Sequence, residues 1–154
     1  MPEITITFGW PVRVACVERM GAREEIGKTL EELSRSIKEK NVKIVGPAMV
    51  LFSGNPKSSD PQKVQYEVCY PISGKIKGAG EIKMKELGKG SFAHITHSGP
   101  LEKLPETYRT ILKWIEENGY QISGATREIY PKGIEKIEGS PQECLIEIHI
   151  PIKR

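Results

Sequence analysis

Two stretches of this chain read as copies of one another, and a repeat is the feature that most limits the folds available to it. Val17-Glu18-Arg19-Met20-Gly21 returns 78 positions later as Ile95-Thr96-His97-Ser98-Gly99. Ile26, Leu33, Ile37 and Gly46 return at the same offset as Leu104, Ile111, Ile115 and Gly124. After a slip of two residues, Glu67-Val68-Cys69-Tyr70-Pro71-Ile72 matches Glu147-Ile148-His149-Ile150-Pro151-Ile152. Core positions, turn glycines and one acidic residue inside an apolar strand are what recur. Two copies imply a duplicated domain rather than a solenoid. The expectation is one domain over residues 1–154, made of halves 1–75 and 76–154, with a cleft on a pseudo-twofold axis as the natural place for a ligand.

Each half carries the same pattern. Residues 4–8 alternate and residues 12–17 are rich in β-formers, which predicts one long or broken strand bent at Gly9-Trp10-Pro11. Residues 22–40 carry Ile26, Leu30, Leu33 and Ile37 at helical spacing, with a stop at Asn41 or the turn after it. Strands over 47–53 and 64–72 follow, on either side of the turn-rich loop 54–61. In the second half, strands over 80–86 and 90–97 precede a helix over 101–118. That helix carries Leu104, Tyr108, Ile111, Leu112 and Ile115 and ends at Asn118-Gly119. Strands over 125–130 and 144–152 flank the loop 131–143. Each half reads β-α-β-β, an α+β pattern with one mostly antiparallel sheet and two helices on one face.

Such a sheet has two unlike sides. Ile146, Ile148, Ile150 and Ile152 share one side, while Leu145, Glu147, His149 and Pro151 share the other. Val64, Tyr66, Val68 and Tyr70 divide from Gln65, Glu67 and Cys69 in the same way. Glu67 and Glu147 are thus expected at equivalent places on the helix-free side. A carboxylate in an apolar strand is costly to keep charged unless it is paired. Glu147 therefore reads as a cation anchor or a general acid or base, or else as a strand residue that simply meets water. Glu128 shares its strand face with Tyr130 and has the same two readings. Trp10, Phe52, Tyr66, Tyr108 and Tyr130 are the rings available to wall a ligand, each with plain packing as the alternative. The register of the 125–130 and 144–152 strands stays open, because the connecting loop is long.

Composition narrows the function classes. The 38% hydrophobic and 28% charged content is that of an ordinary globular protein. A net charge of +3, with lysines interleaved by glutamates, gives no basic stripe for nucleic acid. Neither a charged leader nor a long apolar run is present, so no membrane span and a cytoplasmic location are expected. Cys16, Cys69 and Cys144 are far apart and read as small buried residues. His94 and His97, three apart on a strand, face opposite sides, and no His-Glu or His-Cys group has ligand spacing in the sequence. No metal and no cofactor are expected.

Several of these residues together resemble the GyrI-like small-molecule-binding domain, found in multidrug-sensing regulators and as free-standing proteins. They are His97-Ser98-Gly99-Pro100, Tyr108, Trp114 to Tyr120, Arg127-Glu128-Ile129-Tyr130 and Ile146 to Ile152. The resemblance implies a concave sheet of two units with a central pocket for planar, often cationic, aromatic compounds. It carries Glu147 and Glu128 over as the acidic positions, with His149 where relatives often have an aromatic residue. Regulators of the family also carry an N-terminal helix-turn-helix. This chain starts on its first strand, so a stand-alone form that does not itself contact nucleic acid is expected.

The resulting expectation is a binding protein for amphipathic, cationic or aromatic compounds. Its site is Glu147, Glu128, Glu67, His149 and the rings of Trp10, Phe52, Tyr66, Tyr108 and Tyr130. The alternative is a hydrolase of electrophilic cytotoxic compounds, with Glu147 as general acid or base. Inhibition of a topoisomerase and haem binding rank below these. An exposed sheet edge permits a homodimer.

Overall fold

The computed structural model describes residues 3–22, 25–52, 64–76, 80–133 and 143–154. The loop expected at 54–61, and most of the loop at 131–143, lie outside the described residues. Ten strands and two helices follow in order: β1 (Thr5–Gly9), β2 (Val12–Gly21), α1 (Ile26–Glu39), β3 (Lys43–Ile44), β4 (Met49–Phe52), β5 (Val64–Ser73), β6 (Lys83–Leu87), β7 (Gly90–Gly99), α2 (Leu104–Glu117), β8 (Gln121–Ile122), β9 (Thr126–Ile129) and β10 (Cys144–Lys153). A 3-10 turn at Leu101–Lys103 leads into α2. The order β-β-α-β-β-β occurs twice. Each half contains one short strand, β3 or β8, that the sequence pattern did not show.

All pairings are antiparallel, and the sheet runs β1-β7-β10-β9-β4-β5-β2-β6, with β3 beside β5 and β8 beside β10. The strand expected to bend at Gly9-Trp10-Pro11 is in fact two strands with different partners. β1 pairs with β7, whereas β2 lies between β5 and β6. This order forces curvature. Six steps of about 4.8 Å would separate β1 from β2 in a flat sheet, about 29 Å. Yet only Trp10 and Pro11 join them, which spans at most about 11 Å. Gly88 and Lys89 impose the same constraint on β6 and β7. The sheet therefore curls into a half-barrel that brings its two ends together.

The helices pack outside this curl. Ile26, Leu30, Leu33 and Ile37 of α1 and Leu104, Ile111 and Ile115 of α2 are buried against Ala15, Val17, Val50, Val68, Ile95 and Ile148. Each such side chain contributes about 1.5–3 kcal/mol on burial. α1 ends where Asn41 takes a positive φ of 58°, and α2 where Gly119 takes 77°. The inner side forms a second, smaller core: Val14, Cys16, Met49, Leu51, Cys69 and Leu87 are buried there although, among the described residues, no helix covers them. Gly46 and Gly124 show why glycine recurs, since a Cβ at either would meet Cγ of a proline, Pro71 at 3.0 Å and Pro151 at 3.4 Å.

Candidate functional site

The most deeply placed carboxylate among the described residues is on β9. That strand lies between β10 and β4, with Glu128 opposite Ile148 on one side and Val50 on the other. Strand alternation turns Thr126 and Glu128 toward the helices, and Glu128 has no exposed surface. Tyr130, two residues along the same face, donates its hydroxyl to Oε1 of Glu128 at 2.8 Å. Tyr108, on the buried stripe of α2, donates its hydroxyl to Oε2. One carboxylate thus receives a ring hydroxyl from the sheet and another from the helix above it. Phe52 lies opposite Thr126 and Tyr66 in the next row of the same face. Tyr66 is buried, with its hydroxyl 3.2 Å from that of Thr29 on α1.

Glu147 is on the other side. Its register partner is Ile129, so Glu147 and Glu128 point to opposite faces. The Glu147 side chain is 35% exposed, with Oε1 3.4 Å from Nε2 of His149 and 3.8 Å from Nε2 of His94. His94 and His149 face each other across β7 and β10, their rings stacked at 4.4 Å and 15°. Burial and the neighbouring His94 push His149 below its ordinary pKa, against the pull of Glu147. Glu67, equivalent to Glu147 in the first half, pairs with Lys85 of β6. Beside it the thiols of Cys16 and Cys69 lie 2.9 Å apart, and hydrogen bonding to Cys16 and burial raise the Cys69 pKa far above the usual thiol range.

The nine residues singled out from the sequence therefore do not line one pocket. Glu128, Tyr130, Tyr108, Tyr66 and Phe52 share the helix side. Glu147, His149 and Glu67 share the inner side, and the expectation of rings closing over Glu147 in a dry site is corrected to a half-wet carboxylate between two imidazoles. Trp10 is 75% exposed at the corner between β1 and β2, edge-on to Phe8 at 5.0 Å. Spacing along the chain also hid one group. His94, Glu147 and His149 bring their ligand atoms within 4.8 Å of one another, because two strands rather than one segment supply them. The third histidine, His97, is buried, with Nδ1 2.7 Å from the Thr107 hydroxyl and Nε2 2.9 Å from the Pro100 carbonyl.

A cleft of about 400 Å³ opens where the ends of the sheet meet, lined in part by Lys85, Lys89, Phe92, Arg127 and Pro151. It belongs to the inner side, and Glu128 is not among its walls. Arg127 lies over the Phe92 ring at 4.5 Å, and burial lowers its pKa. Three cationic side chains make this cleft a poor host for a cation.

The family model of the GyrI-like small molecule binding domain matches residues 2–153. No curated protein sequence matches. Among solved structures, the EcmrR C-terminal domain superposes with a TM-score of 0.88 at 18% identity, covering 100% of this chain and 99% of that one. Against EcmrR in its complex with DNA, this chain spans 58% of the other's length. A hydrolase encoded by lin2189 from Listeria innocua superposes with a TM-score of 0.70 at 10% identity over 98% of this chain and 92% of that one. SAV2435, bound to tetraphenylphosphonium, superposes with a TM-score of 0.63 at 10% identity over 98% and 94%. Among the described residues no helix is long and apolar enough to cross a membrane.

Proposed function

This chain belongs to the GyrI-like small molecule binding domain family, and from that premise we propose that it binds amphipathic, cationic aromatic compounds at Glu128. The observation that carries the reading is the fully buried carboxylate that accepts hydroxyls from Tyr108 and Tyr130. In a low-dielectric setting a carboxylate attracts a cation far more strongly than in water. Ring faces add about 0.5–2 kcal/mol per cation contact, and the tyrosines supply both rings and polar edges. Tetraphenylphosphonium, the compound bound to SAV2435, is a cation of this class and a suitable first probe. Because Glu128 has no exposed surface, a ligand reaches it only by parting the layer above, of which Tyr108 on α2 is a member.

Calorimetric titration with tetraphenylphosphonium tests the proposal. Saturable binding is expected, weakened at least tenfold in Glu128→Gln and unchanged in Glu147→Gln. Tetraphenylborate, of the same shape and opposite charge, should not bind. Equal binding of the two ions, or full affinity in Glu128→Gln, would overturn the anchor role.

A second reading has the same carboxylate act on water as a general base, with a tyrosine hydroxyl as the proton donor to the leaving group. The likeness to the hydrolase from Listeria innocua favours it only as a fold able to host such chemistry. Turnover of an activated ester, abolished in Glu128→Gln and reduced in Tyr108→Phe, would replace simple binding by hydrolysis; stoichiometric binding without product would not.

A further inference from the structure

We propose that His94, His149 and Glu147 form a binding site for a divalent first-row transition cation, such as Zn²⁺ or Co²⁺, on the inner face of the sheet. It stands apart from the reading at Glu128, which faces the helices. The geometry comes from the β7–β10 ladder. His94 and His149 are register partners, and Glu147 precedes His149 by two positions on the same face. Both Nε2 atoms turn toward one carboxylate oxygen, at 3.4 Å from His149 and 3.8 Å from His94. With metal–ligand bonds of about 2.1 Å, ligand atoms around a tetrahedral ion lie about 3.4 Å apart. The three donors span no more than 4.8 Å. They meet an ion after side-chain rotations of an ångström or so, with the backbone unmoved.

The donor set selects the class of ion. Two imidazoles and one carboxylate suit zinc, cobalt, nickel or copper, whereas magnesium and calcium prefer oxygen ligands throughout. Three protein ligands leave at least one position for water or a small molecule, and the half-exposed side chains give the ion a way in. A partner for the bound carboxylate is in place too. Thr96 lies opposite Glu147 in register, with its hydroxyl 3.3 Å from His94 Nε2. Once that nitrogen is metallated, the hydroxyl can turn to the second carboxylate oxygen, as outer-shell donors commonly do. Arg127 of β9 faces His149 in register and opposes a cation. Its guanidinium is drawn onto the Phe92 ring and toward the Gly88 carbonyl. His97 cannot compete, since both its nitrogens are engaged.

The test uses the full chain stripped of metal with a chelator and titrated with Co²⁺, followed by visible absorption and calorimetry. One ion per chain is expected, without a thiolate charge-transfer band. Binding should weaken at least tenfold in His94→Ala and in His149→Ala, and several-fold in Glu147→Gln. It should be unchanged in Cys16→Ser/Cys69→Ser, which removes the thiols grouped with Glu67. In the unmodified protein, Co²⁺ should broaden the imidazole proton resonances of two histidines far more than those of the third, a readout that needs no variant to fold. Undiminished affinity in His149→Ala, a thiolate band lost in the cysteine variant, or absence of saturable binding with no selective broadening would each overturn the site.

Discussion

Glu128 and Glu147 begin from nearly the same place and end in different chemistry. They sit on neighbouring strands within one register step, since Glu147 faces Ile129 and Glu128 faces Ile148. Strand parity sends one outward and one inward. Outside, Glu128 meets a helix that carries Tyr108 and is sealed. Inside, Glu147 stays half-wet beside two imidazoles. The layer that covers a face, more than the residue type, decides whether a carboxylate is sealed among hydroxyl donors or left within reach of solvent.

The largest effect that sharpens this contrast concerns packing. Ile148 is fully buried on the helix side and His149 is its neighbour on the inner side. Truncating a buried isoleucine costs about 2–5 kcal/mol through lost burial and the cavity left behind. Ile148→Ala should therefore lower stability by about that amount in denaturant unfolding, and His149→Ala by less than about 1 kcal/mol. Equal costs would mean that the two faces are equally packed, and the contrast would fall. Next comes the hydroxyl pair. Hydrogen bonds to a charged acceptor are worth about 1.5–3 kcal/mol. Tyr130→Phe should destabilise the fold within that range, while Thr96→Val, beside the half-exposed Glu147–histidine group, should cost under about 1 kcal/mol.

Much of the frame was legible in the sequence, for a stated reason. Ile146, Ile148, Ile150 and Ile152 alternate cleanly, so the helix side of β10 could be assigned from periodicity. The stripes Ile26–Ile37 and Leu104–Ile115 located both helices to within a few residues, because helical spacing and the stops at Asn41 and Asn118-Gly119 are local signals. The curl was not legible. It follows from β1 and β2 taking partners at opposite ends of the sheet, and nothing local marks that choice. The site was half-legible. Parity placed Glu147 and Glu67 together on the helix-free side, and it paired Glu128 with Tyr130. Joining Tyr108 to Glu128 and His94 to His149 needs the β7–β10–β9 register, which a loop of unknown path leaves open. The resemblance carried over both Glu147 and Glu128, and the apolar strand around Glu147 made that acid stand out, whereas burial and hydroxyl donors single out Glu128.

A smaller prediction compares the inner carboxylates of the two halves. Glu67 and Glu147 occupy matching places on β5 and β10, but Glu67 is 12% exposed and paired with Lys85, while Glu147 is wetter and sits between histidines. Burial alone would lower the Lys85 pKa, and the hydrogen bond and charge of Glu67 outweigh it, so the net shift is upward from 10.5. A cation whose pKa rises on folding adds stability that is fully present below its unfolded value and is lost as pH climbs through the folded value. Lys85→Met should thus cost up to about 1 kcal/mol through the neutral range, a figure held down by the exposure of the lysine. The gap from the unmodified protein should close above about pH 10.5, where the lysine discharges. Adding Glu67→Gln to Lys85→Met should recover most of the loss, because no unpaired carboxylate then remains in a nearly closed site. Glu147→Gln should change stability by less than about 0.5 kcal/mol. If Lys85→Met were as silent as Glu147→Gln at every pH, the two inner carboxylates would be solvated alike, and the curl would shelter neither half more than the other.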